Sequence, residues 1–138
     1  MKQILPLLLL LVSTPALTAG AAPDCHNAMS TMEINLCAEL EREAAMGEMT
    51  HYLQAVLDEH EADAELVKAI QDAQVSWEGY RQAQCGAVFT QWRGGTVRGL
   101  MTLSCQTRLT QSRTHTLWEN FLTTMEGTSL LPEPMARQ

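Results

Sequence analysis

Basic residues are scarce in this sequence. Across 138 residues there are nine Lys and Arg against sixteen Asp and Glu, a formal charge of −7. Binding to phosphates needs the opposite balance, which argues against a nucleic-acid partner and against docking on anionic lipid. Proline is absent between Pro23 and Pro132, so helices in that interval run unbroken. There is no CxxC or CxxH pair, and with it goes the usual spacing of a zinc site. No alternating strand pattern of any length occurs. Charged residues reach only 18% and hydrophobic residues 46%, the balance of one small globular domain rather than a disordered chain.

One apolar run stands out, at residues 4–12. It follows Lys2 and precedes Ala19-Gly20-Ala21, the order of a secretory signal cleaved after Ala21. At about nine residues it falls well short of the roughly 20 that span a bilayer. The expected organisation is a signal at 1–21, a helical domain at 22–125 and a flexible tail at 126–138. The mature protein is expected to be exported, periplasmic or secreted, with no stable membrane anchor.

Export gives the four cysteines a meaning. Cys25, Cys37, Cys85 and Cys105 form an even set, and in an oxidising compartment two disulfides are the default. Pairing Cys25–Cys37 and Cys85–Cys105 closes two local loops. A competitor exists: a helical hairpin brings Cys37 near Cys85.

The chain between them reads as helix. Met29, Met32, Leu36 and Leu40, then Met49, Leu53, Val56 and Leu57, recur at steps of three and four, with Ala44 bridging the gap. Leu66, Ile70, Ala73, Trp77 and Tyr80 repeat the period. The acidic stretch 58–63 is the expected turn, which makes the first two helices an antiparallel hairpin. A third helix is expected from about Leu103 to Met125, with Leu117, Phe121 and Leu122 inward and with Thr107, Thr110 and Thr114 weakening its stripe. The fold class is all-α: a helical hairpin plus a third helix, stapled by two disulfides.

Three blocks of residues carry a family resemblance. They are Ala73-Gln74-x-x-Trp77-x-x-Tyr80-Arg81-x-x-x-Cys85, then Gly94-Gly95-Thr96, then Cys105-x-x-x-x-Thr110-x-x-Arg113-x-x-x-Leu117. Together with Cys37-Ala38 they resemble the LprI-like lysozyme-inhibitor family over about residues 25–118. The resemblance implies a small exported helical domain with disulfides and, for its activity, inhibition of lysozyme. The first helix departs from the pattern. Where the family shows Ala-Asp-x-x-Leu-Asn-x-x-Tyr, this chain has Ala45-Met46-Gly47-Glu48-Met49-Thr50-His51-Tyr52-Leu53.

Physical reading of the same residues gives a structural hub of Trp77, Tyr80, Arg81, Thr110 and Arg113, locking the second helix to the third. The rival reading is a site for an anionic group. Catalysis finds no support: His26, His51, His60 and His115 are scattered, and Ser104 lacks a glycine-flanked elbow. Neither a cofactor nor a metal is expected.

Charge is uneven. Residues 24–78 hold thirteen acids against two bases, Arg42 and Lys68, whereas residues 79–138 hold three acids and six arginines. The acidic half suits attraction of a basic protein such as a lysozyme-like hydrolase. Between the second and third helices, residues 90–99 place Trp92, Arg93, Gly94, Gly95 and Arg98 in one loop. Trp and Arg are the residue types richest in binding hot spots, so this loop is the expected grip. The other functional readings are an immunity-like partner of a different secreted enzyme or toxin, and a structural or envelope-stress domain.

Overall fold

The computed structural model describes residues 23–134. The expected signal at 1–21 lies outside the described residues. Three helices account for most of the rest: α1 at Thr31–Glu59, α2 at Ala64–Gln91 and α3 at Arg98–Phe121. Ser30 opens α1 with a reciprocal cap. Its hydroxyl accepts from the Glu33 N–H, and the Glu33 carboxylate accepts from the Ser30 N–H. These bonds hold the Glu33 carboxyl below the ordinary carboxylate range. Asp63 caps α2 through the Leu66 N–H. α1 passes through Gly47 without a break.

The helix register follows from cross-contacts. Asn35 meets Gly99, Met46 meets Thr110 and His60 meets Phe121, so α3 runs parallel to α1. Cys85 meets Cys105, Arg81 meets Thr110 and Gln74 meets Arg113, so α3 runs antiparallel to α2. α1 and α2 are thus the arms of an antiparallel hairpin, and α3 lies along both. The α1–α3 interface is the more extensive of the two.

The inward face of α3 is made largely of threonine. Thr107, Thr110 and Thr114 are buried, Thr110 completely. Each hydroxyl donates to the carbonyl four residues back: Leu103 at 3.0 Å, Gln106 at 2.8 Å and Thr110 at 3.0 Å. A hydroxyl satisfied within its own helix turns a methyl-bearing side to its neighbours and avoids the penalty of an unpaired buried group.

The core is lopsided. Met49, Tyr52, Val56, Ile70, Leu117 and Leu122 form one buried cluster near the α1–α2 turn, with Leu53, Leu57, Leu66, Trp77 and Phe121 packed on it. At the opposite end both disulfides, Cys25–Cys37 and Cys85–Cys105, close with Cα separations of 5.6 and 5.7 Å. The competing Cys37–Cys85 pair does not form.

The first half of α1 corrects the sequence reading. Met29, Met32, Leu36 and Leu40 are exposed, not buried, and Ala45 rather than Ala44 faces inward with Ala38. The cause is space. A Cβ on Gly99 would stand only 2.8 Å from Asn35 Oδ1, so α1 and α3 approach closely here. Only the slim Asn35–Ala38–Ala45 face fits, and the bulky stripe lies on the other side of the helix. In α2, Ala73 and Tyr80 are likewise exposed, and buried Gln74 takes the place expected of an apolar residue.

The stretch after α3, as far as Pro134, makes contacts back onto the helices. After α3 the chain turns at Gly127, whose φ of 79° is the left-handed region, and Leu130 N–H returns to the Leu122 carbonyl at 3.0 Å. The Tyr52 hydroxyl donates to Pro132 O at 2.7 Å and the Trp118 indole to Leu131 O at 2.9 Å. Pro134 is buried. Tyr52→Phe is expected to lower the unfolding free energy by about 1 kcal/mol, the net worth of one hydrogen bond. Truncation after Ser129 removes both acceptors and the Leu131 contact, for a loss of about 3 kcal/mol. Urea denaturation of the two variants checks both.

Candidate functional site

The α2–α3 connection is shorter than expected, at residues 92–97, because α3 starts at Arg98. Trp92 ends α2 and is 39% exposed. The Arg93 N–H returns to Thr90 O at 3.3 Å and the Gly95 N–H to Trp92 O at 2.9 Å, so the loop is a succession of tight turns. Arg93 also directs Nη1 to Thr90 O, a cation at the negative end of α2. The Arg98 guanidinium lies 4.5 Å from the centre of the Phe89 ring. Gly94 and Gly95 are exposed, and neither has a positive φ. A Cβ on Gly94 would meet nothing within 4 Å. The backbone therefore does not require glycine at 94. The Cys85–Cys105 bridge ties the two helices behind this loop.

The hub residues divide into two groups, and Tyr80 joins neither. Arg81 sits 5.2 Å from the Trp77 ring centre, with Nη1 2.7 Å from Met46 Sδ and 3.4 Å from Thr110 Oγ1. Arg113 forms a separate chain. Its Nε donates to Gln74 Oε1 at 3.0 Å, and Gln74 Nε2 reaches Glu78 at 3.2 Å. Arg113 Nη2 is buried with no partner among the described residues, and burial pulls the guanidinium below its ordinary pKa. Tyr80 is 55% exposed. Met46 and Gln74 are the members that the residue pattern did not single out. Gln74 was visible within the Ala73-Gln74 pair; Met46 was visible only as a departure.

That departure has a structural meaning. Met46 stands where the family pattern has Asp, directly against the Arg81 guanidinium. A thioether is a weak acceptor, so the contacts of Arg81 with Met46 and Thr110 supply no carboxylate to its charge.

The histidines do not converge. His60 Nε2 lies 3.0 Å from Phe121 O, and His115 Nε2 lies 3.1 Å from Glu133 Oε1, while His26 and His51 are exposed. Among the described residues, no group of three His, Cys, Asp or Glu could hold a metal ion. None of the described helices is long and apolar enough to cross a membrane.

Fold and site together define a disulfide-stapled three-helix domain whose polar cross-links hold helices together and whose tightly turned α2–α3 connection carries Trp92 and Arg93. Comparison with known proteins places it more closely. The model of the family described as lysozyme inhibitor LprI matches residues 23–117, and the chain belongs to that family. It is also similar to Uncharacterized protein R02472 of Rhizobium meliloti (strain 1021), 33% identical over 123 residues, covering 81% of this chain and 88% of the relative. No solved structure matches it.

Met46→Asp is expected to stabilise the protein by about 1 to 3 kcal/mol through a charge-assisted bond to Arg81. The gain should vanish when Arg81→Ala is added. Thermal melts of the two single variants and the double variant measure that coupling.

Proposed function

We propose that this protein is an exported inhibitor of a basic, lysozyme-type cell-wall hydrolase, and that it holds its target with the α2–α3 loop. The family match carries the reading of target and activity. Export is supported by both cysteine pairs being oxidised, a state characteristic of compartments outside the cytosol. A binding role rather than an enzymatic one accords with the family.

The loop reading is supported by chemistry. Lysozyme-type hydrolysis uses a pair of carboxylates in a cleft, so a plug suited to it carries cations and an aromatic anchor. Trp92, Arg93 and Arg98 meet that need on a tightly turned segment backed by a disulfide, which lowers the ordering cost of insertion. Gly94 and Gly95 let the loop approach a wall closely. The acid-rich arm of the molecule complements a basic target and speeds encounter.

The test uses the oxidised protein and a basic hen-type lysozyme. The double variant Arg93→Ala/Arg98→Ala should still fold cooperatively, with a melting point lowered only by the loss of the exposed contacts to Thr90 O and Phe89. Its inhibition constant should rise by about tenfold or more. Gly94→Ala should also fold normally, since its Cβ meets nothing, and should weaken inhibition if a target wall lies against it. Unchanged inhibition in the arginine double variant refutes the loop as the grip.

A further inference from the structure

We infer that the outer face of the first half of α1 is a second docking surface, built for a cationic protein partner that offers an apolar groove. The inference rests on the reading above that the target is a basic hydrolase, and it adds where else that target is held.

The stripe itself is unusual. Met32, Leu36 and Leu40 follow one another at four-residue steps, and Met29 precedes them just outside the helix. Their exposures are 78, 47 and 41%, with Met29 at 89%. At 3.6 residues per turn this line lies on the side of α1 opposite Ala38, Ala45 and Met49, the residues buried inside. α1 therefore has two apolar faces along its first three turns, and only one is used by the fold. Past Leu40 the outer line turns polar, through Glu43 and Gln54, so the apolar patch is bounded.

Charge selects the occupant. α1 carries seven acids and one arginine, Arg42, whose guanidinium is held by Glu39 and lies 3.8 Å from Glu43. Glu33 borders the stripe on one side and Glu39 on the other, and Glu43 closes its far end. A second copy of this chain would set the three carboxylates at the patch against three more, and an anionic bilayer would be repelled in the same way. A cationic surface is attracted.

The patch is also rigid. The Ser30–Glu33 cap fixes the start of the helix, and Cys25–Cys37 anchors the segment that carries Met29. Little freedom is left to lose on binding. The close approach of Asn35 to Gly99 sets the stripe at the same end of the bundle as the loop.

The experiment compares the wild type with Met32→Gln/Leu36→Gln/Leu40→Gln, all oxidised, by calorimetric titration with a basic hen-type lysozyme and by sedimentation of each protein alone. Glutamine keeps helix propensity and the sites are exposed, so circular dichroism should be unchanged. The expected result is a dissociation constant raised by about tenfold or more with the Arg93/Arg98 loop intact. A photo-crosslinker at position 36 should capture lysozyme, and one at Gln54 should not; this holds even if the triple variant folds poorly. Equal affinity of wild type and variant, or no crosslink from position 36, overturns the surface while leaving the inhibitor reading standing. A wild type that sediments as a dimer, and becomes a monomer in the triple variant, overturns it in favour of self-association. A monomeric wild type that binds no lysozyme refutes the inhibitor reading, and this proposal with it.

Discussion

Everything in this bundle depends on a helix that can be slim, polar in composition and yet buried. α3 achieves this by folding three threonine hydroxyls back onto its own carbonyls, so that none needs a partner from another helix. A ladder of small side chains lets α1 approach closely, and it leaves room for the long polar side chains of α2 to reach across. Arg81 touches Thr110, and Gln74 meets Arg113, because nothing large on α3 stands in the way. The same slimness withholds apolar bulk from the loop end. The core therefore gathers at the turn end, and covalent bridges hold the other, as small domains with limited cores require.

Much of the scaffold was legible from residue order. The helical period, the proline-free interval and the two short cysteine spacings led to three helices and both disulfides. What stayed hidden was the choice between faces. The first half of α1 offers a bulky stripe, Met32–Leu36–Leu40, and a slim one through Ala38 and Ala45. Periodicity favours the bulky one, and only the close approach at Gly99 reverses the choice. The burial of Gln74, though not the residue itself, was hidden for a related reason, since it is licensed by Arg113, 39 residues away. The docked tail was invisible because its bonds accept at backbone carbonyls of Leu131 and Pro132, which no side-chain pattern records.

Most of the residues that carry the family resemblance touch a neighbouring helix. Trp77, Arg81, Cys85, Cys105, Thr110, Arg113 and Leu117 join helix to helix. The surfaces proposed to meet a partner lie elsewhere, on the loop and on the outer side of α1. A family defined by such positions can keep one architecture while its surfaces diverge toward different targets. At position 46 the Arg81 cross-link is completed by a thioether, a weak acceptor, within packed helices.

The order in which the cysteines pair has a bearing on how the molecule is made. A chain emerges N-terminus first, so Cys25 and Cys37 can meet before Cys85 exists, and Cys85 then waits only 20 residues for Cys105. Each thiol's first free companion is its native one. Oxidation in order of emergence writes the correct connectivity without trial and error. Crossed bridges lack this property, because their early pairings must be broken and remade by exchange.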